Sequence, residues 1–262
     1  QVLVFFALVG GFCDLTQADF DKTVYKNMVG RFSEIVKGNG PTPANTFESS
    51  APKPLVKGDP IDFNSYFDVV ENMSAVVLKS GEIVYERYNG GEIDANHIAL
   101  GFSMTKTITG LVIGHLLCDG TLDSLDDPLE KYSENLMASV YGDVTIRNLL
   151  RMASGVNEHR GTEKVATHAI QNRFRHISTD PITVLQQIDD TFTQQGQESR
   201  YHGFDTMAAS VLVNDVSGKS IDHIFYEKVF ARLGAESKLI WWADRNGNAL
   251  GDTGLNLVPR DW

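Results

Sequence analysis

The chain has 262 residues, 42% of them hydrophobic and 22% charged, and a formal net charge of -11. That length can bury a substantial core in one large domain or two lobes, and the composition is that of a soluble globular protein without low-complexity tracts. The acidity argues against nucleic acid or an anionic membrane as a partner, because the densest basic patch, Arg173-Phe-Arg-His176, is short and lacks interleaved aromatic platforms.

Residues 2–12 form an apolar run of signal-peptide length, and Thr16-Gln-Ala18 offers small residues for cleavage before Asp19. The run is too short to span a bilayer, so no stable membrane insertion is expected. It reads as a clipped export leader over 1–18, which implies an exported protein, periplasmic or extracellular, with a folded domain over 19–262; a buried N-terminal helix is the alternative. The two cysteines, Cys13 and Cys118, fall in the leader and in an apolar helix, and no disulfide framework follows.

From 19 to 37 the apolar residues Phe20, Val24, Met28, Phe32, Ile35 and Val36 recur at helical intervals, and Gly38-Asn-Gly40 stops them. A Pro-rich connector occupies 39–62. Gly38-Asn-Gly40 runs into prolines and not into a helix, which removes the phosphate-cradling turn that a dinucleotide-binding oxidoreductase would need. Residues 73–79 and 82–88 are β-rich runs separated by Ser80-Gly81, a hairpin.

The next stretch, Gly101-Phe-Ser-Met-Thr-Lys106, heads a run in which Met104, Ile108, Leu111 and Val112 recur at helical spacing. Ser103 and Lys106, three apart, share one face of the first turn. A serine hydroxyl is a weak nucleophile and needs an adjacent base, a role a lysine fills only where burial or positive potential favours its neutral amine. From Thr107 to Cys118 no side chain is formally charged, which predicts a helix buried on several sides whose N-terminus favours an anion at Ser103. The plain alternative is a helix-start serine beside a surface lysine. Ser50-Ala-Pro-Lys53 has the same spacing but lies among prolines that prevent a packed helix.

Asp119-Gly120 ends this helix, and the aspartates of 123–128 read as a solvated turn whose spacing fits no calcium loop. Thr145 caps a helix over 146–152, and Asp180-Pro181 opens another through 192. His159, His168 and His176 have no zinc-pair spacing, so no metal or other cofactor is expected. Further helices are predicted over 204–216 and 220–233, ended by Gly218 and Gly234, then a strand at 239–242 running into a turn over 244–247. Pro259 opens a helix that has barely begun, and with so few strands the late part of a sheet is expected to be missing.

Gly101-Phe-Ser-Met-Thr-Lys106, Asp119-Gly-Thr-Leu-Asp123, Asp127-Pro128, Val144-Thr-Ile-Arg-Asn-Leu-Leu150, Met152-Ala-Ser-Gly155 and the segment 234–247 stand in this order along the chain. In that order they resemble the serine β-lactamase-related family, which includes class C β-lactamases, D-Ala-D-Ala carboxypeptidases, related esterases and 6-aminohexanoate-dimer hydrolases. The resemblance implies an α+β, β-lactamase/transpeptidase-like fold: an antiparallel sheet flanked by helices, plus a mainly helical lobe, with the site in the cleft between them. It divides the domain into an N-terminal α/β part (19–100), the nucleophile helix and helical lobe (101–238), and the start of the return to the sheet (239–262).

The resemblance further implies that Ser103 attacks a carbonyl with Lys106 assisting, giving an acyl-enzyme that water hydrolyses. The family places a tyrosine, usually in Tyr-x-Asn or Tyr-x-Ser, beside the serine. Tyr25-Lys-Asn27 comes far too early, whereas Tyr201-His-Gly203 stands where the family has it, so Tyr201 takes the role and Gly203 departs from the pattern. No Lys-Ser/Thr-Gly follows Tyr201; Lys219-Ser-Ile221 fails at its third position and His159-Arg-Gly161 lies upstream. The expectation is a serine hydrolase acting on a small-molecule ester or amide, weak or inactive as these residues alone, with 241–244 leaning toward the amide-oligomer hydrolase and esterase branch. A β-lactamase or D-Ala-D-Ala carboxypeptidase, and a non-catalytic binder on the same scaffold, are the competing readings.

Overall fold

A computed structural model of the chain describes residues 2–6, 64, 67, 74–91, 93–157, 180–244 and 246–262, the first of these segments as backbone alone. The helix expected over 19–37, the connector over 39–62 and the histidines 159, 168 and 176 lie outside the described residues.

The hairpin forms as its sequence dictates. Strand β2 (Ser74–Lys79) and strand β3 (Glu82–Tyr88) are antiparallel, joined by Ser80 and Gly81, both at positive φ (53° and 82°), the turn geometry that matches strand twist. Ala75, Val76, Val77, Ile83 and Val84 are buried. Strand β1 (Val2–Phe6) completes a three-stranded sheet in the order β1-β2-β3, with Val2 opposite Lys79 and Phe6 opposite Ala75. These five residues head the run read from sequence as an export leader; the remainder of that run, with Thr16-Gln-Ala18, lies outside the described residues.

A second antiparallel sheet, in the order β4-β6-β5, joins Ala99–Leu100 (β4), Ile240–Trp241 (β5) and Leu255–Leu257 (β6). Only β5 is visible in the sequence pattern. Two and three residues are too few to show alternation, and these strands exist because their backbones pair across most of the chain.

The helical part occupies the chain between β4 and β5. Helix α1 spans Thr105–Cys118, α2 Glu134–Met137, α3 Ile146–Leu150, α4 Pro181–Gln186, α5 Gly203–Ser217 and α6 Ile221–Phe225. The last runs through a wider π-type turn, Tyr226–Phe230, into α7, Ala231–Leu233. Helix α5 is the core axis, since every residue from Phe204 to Val213 is buried; Val112 and Leu116 of α1, Leu136 of α2, Leu149 of α3 and Leu185 of α4 belong to the same apolar cluster. The predicted caps are present. Thr145 accepts from the Asn148 amide at 3.2 Å, Asp180 accepts from the Ile182 amide at 3.2 Å ahead of Pro181, and Gly218 and Gly234 adopt the left-handed conformation that ends a helix.

Two expectations need correction. Helix α1 buries Thr105, Thr109, Val112, Ile113 and Leu116 but leaves Thr107, Leu111 and Cys118 exposed, so it packs on one side and not on several. Helix α4 stops at Gln186, short of 192, because the Asn157 amide donates to Asp190 O at 3.0 Å and the Phe192 amide to Gly155 O at 2.8 Å, drawing 190–192 into extended pairing. The aspartates of 123–127 lie in an exposed turn, as expected, with the Lys131 ammonium 2.7 and 2.9 Å from Asp123 and Asp127 and the Arg147 guanidinium 2.7 Å from Asp126. Among the described residues no helix is long and apolar enough to cross a membrane.

Candidate active site

Ser103 sits in a short 3-10 turn, Phe102–Met104, that leads directly into α1. The Gly101 amide donates to Leu255 O of β6 at 3.0 Å, so the turn hangs from the second sheet. A Cβ at position 101 would lie 2.0 Å from the Trp262 ring and 2.4 Å from Leu255 O, which leaves glycine as the residue that fits. Phe102 then takes φ = 41°, a left-handed conformation that costs a non-glycine residue about 1–3 kcal/mol and that its surroundings must enforce. Its ring meets Trp242 edge-on at 6.2 Å, within a small cluster with Leu100 and Leu250. The result is an exposed Ser103 at the positive end of a fourteen-residue helix.

Lys106, one helical turn on, has its Nζ 3.0 Å from Ser103 Oγ and 2.7 Å from the backbone carbonyl of Asp252. The loop carrying that carbonyl is pinned to α1 at two further points. Thr109 Oγ1 donates to Gly251 O at 2.6 Å, and the Leu255 amide donates to Thr105 Oγ1 at 3.1 Å. Both glycines of Gly251-Asp-Thr-Gly254 are wedged, since a Cβ at 251 would lie 2.6 Å from Ser210 Cβ of α5 and one at 254 would lie 2.5 Å from the Trp241 ring of β5. Three elements therefore fix the acceptor that orients Lys106.

Tyr201 arrives from the segment leading into α5. Its side chain is 65% exposed, and its ring centroid is 5.4 Å from Lys106 Nζ, within cation–π range. Of the three residues named from the sequence, Lys106 thus lies against both Ser103 and the Tyr201 ring. The Asp252 carbonyl was not named; the two close-packed glycines around it were the available signal, and its partner is 146 residues away. Among the described residues no three His, Cys, Asp or Glu side chains gather in a way that could hold a metal ion.

The arrangement matches known proteins at the level of family and fold. A family model described as Beta-lactamase matches residues 67–250. No curated protein sequence matches the chain. Among solved structures, a Bacillus anthracis protein provisionally called a 6-aminohexanoate-dimer hydrolase aligns with TM-score 0.72 and 19% identity over 95% of this chain and 67% of its own. A penicillin-binding protein from Bacillus halodurans aligns at TM-score 0.59 and 18% identity over 79% and 70% of the two chains. A D-stereospecific amidohydrolase from Streptomyces aligns at 0.51 and 18% over 68% and 62%. At these identities the structures speak to the fold, and the chain spans 62 to 70% of their lengths. The family match covers more than half of the chain, on a β-lactamase/transpeptidase-like fold, and the chain accordingly belongs to the beta-lactamase family of serine hydrolases.

Proposed function

We propose that this protein cleaves a small amide or ester through an acyl-enzyme on Ser103. The observation that carries the reading is the 3.0 Å contact between Lys106 Nζ and Ser103 Oγ, made by an amine whose other partner, the Asp252 carbonyl, can only accept. A neutral Lys106 that keeps one N–H on that carbonyl turns its lone pair toward the Ser103 hydroxyl and takes the proton as Oγ attacks the substrate carbonyl carbon. Collapse of the tetrahedral intermediate breaks the bond to the leaving group, which receives a proton from the Lys106–Tyr201 pair. Water then attacks the ester on Ser103, gives its proton to the same pair, and releases the acid with Ser103 Oγ reprotonated.

Support for a linear amide or ester comes from similarity to a protein named for an amide dimer and to one named as an amidohydrolase. The test is intact mass with peptide mapping after exposure to a small fluorophosphonate and, separately, to a β-lactam. One adduct per chain on the peptide containing Ser103, absent from Ser103→Ala, is expected, and Lys106→Ala should slow its formation roughly 10²- to 10⁴-fold. No adduct on the unmutated chain, or one that persists in Ser103→Ala, would overturn the reading.

A further inference from the structure

Tyr201 has little of its own to hold it. Its side chain is mostly exposed, and its interaction with the site is the 5.4 Å approach of its ring to Lys106. The residues around it are fixed. On one side the Arg200 amide donates to Met152 O at 2.8 Å. On the other, His202 is buried, 4% exposed, with its Nε2 3.3 Å from Asp205 Oδ1 in the first turn of α5. Asp205 is fully buried, and the hydroxyl of Tyr141, itself fully buried, donates to the same oxygen at 3.1 Å.

His202 has an extended backbone, φ -157° and ψ 166°, and in an extended segment neighbouring side chains point to opposite faces. Driving His202 inward therefore turns Tyr201 outward, to the side where Lys106 lies. The inward pull has a physical basis. A carboxylate in the first turn of a helix is favoured by the helix dipole, and Asp205 there collects a phenol and an imidazole N–H that would each be costly to bury unpaired. The cluster is ill-suited to chemistry itself, because every member is buried while Ser103 is exposed.

We infer that His202, held by Asp205, which Tyr141 in turn holds, is the positioning residue that keeps Tyr201 over Lys106, and that a bulky apolar residue in its place would release the tyrosine from the site. The inference deepens the proposed acid/base role of Tyr201 and rests on it for its catalytic consequence, though not for its geometry. Two readouts separate these.

The first is independent of catalysis. With ring-¹³C tyrosine in the full chain, and the Tyr201 signal assigned by its loss in Tyr201→Phe, Lys106→Met should shift that signal in the otherwise unmutated protein. In His202→Phe the same Lys106 change should leave it unmoved, and His202→Gln, which keeps an N–H for Asp205, should restore the response. A response of equal size in His202→Phe would overturn the positioning role whatever the activity. The second readout is kcat/KM for a p-nitrophenyl ester, whose leaving group departs without a proton, against an ethyl ester, whose leaving group requires one. His202→Phe should slow the ethyl ester roughly 10- to 100-fold, as expected for a misplaced proton donor, and the p-nitrophenyl ester less than about threefold. In a Tyr201→Phe background it should add nothing. Equal losses on both esters, or a full further loss in that background, would reduce His202 to a stability residue. A chain whose Ser103 takes no fluorophosphonate would refute the hydrolase reading instead, while the labelled-tyrosine result would still decide the positioning.

Discussion

Ser103 depends on a residue that carries no chemistry. Gly101 is packed so closely under Trp262 that any β-carbon must displace the indole, the β6 backbone or the turn itself. Gly101→Ala should destabilise the fold by about 1–3 kcal/mol, the usual cost of overpacking, and slow fluorophosphonate labelling of Ser103. Urea unfolding reads the first effect and intact mass the second; trimming Trp262 to Ala in the same chain should recover part of the labelling rate. A Gly101→Ala protein as stable and reactive as the parent would show that the turn tolerates movement. At this scale the sequence was informative about Ser103 and Lys106, since residues three apart on a helix meet whatever the rest of the chain does. It gave only the flanking glycines as a sign of Asp252, whose part is played by a backbone carbonyl that any residue type supplies. His202 was equally hidden, because burial of a histidine beside Asp205 depends on how α5 docks and not on spacing.

Among the elements, α1 and the loop 250–254 act as one unit, joined by the side chains of Thr105, Lys106 and Thr109. Gly251 is the wedge that seats this loop against α5. Gly251→Ala should lift the loop from Ser210 and lengthen the contact between Lys106 and the Asp252 carbonyl. The expected outcome is a loss of about 1–3 kcal/mol in urea unfolding together with slower acylation of Ser103, and an unchanged acylation rate would place the tether outside the mechanism. The elements legible in advance were those with a local signature: the β2–β3 hairpin, α1, α5, and the caps at Thr145, Asp180, Gly218 and Gly234. Strands β4 and β6 left no periodicity in two and three residues. The helical pattern over 220–233 reads as one helix because periodicity does not register the π-type turn at Tyr226–Phe230, where the hydrogen-bond step widens.

Across the whole molecule, Arg260 ties together segments that no local pattern connects. Its guanidinium lies 2.6 Å from Glu86 on β3 and 3.2 Å from Glu236 ahead of β5, and Glu86 also accepts a short hydrogen bond from Tyr88. The hydrogen bond from Arg260 holds the Glu86 carboxyl below the usual glutamate range, against the opposing effect of burial. Because the folded value is the depressed one, the unfolded chain binds the proton more readily. The pair therefore contributes fully above the unfolded glutamate value and loses its contribution as pH falls through the folded one. Glu86→Gln should cost about 1.5–3 kcal/mol at pH 7, and its melting temperature should converge with that of the parent as pH is lowered below the ordinary glutamate range. Parallel curves throughout would mean that the pair contributes nothing. The long reach of such contacts also bears on how the protein is made. The contacts that hold Thr105, Lys106 and Thr109 at the head of α1 come from residues 142 to 150 positions later in the chain. At about 5–20 residues per second, a ribosome that has delivered this helix start needs roughly 7–30 seconds more to deliver the residues that hold it. During that interval the growing chain presents Ser103 and Lys106 without the Gly251–Gly254 loop whose carbonyl orients the lysine.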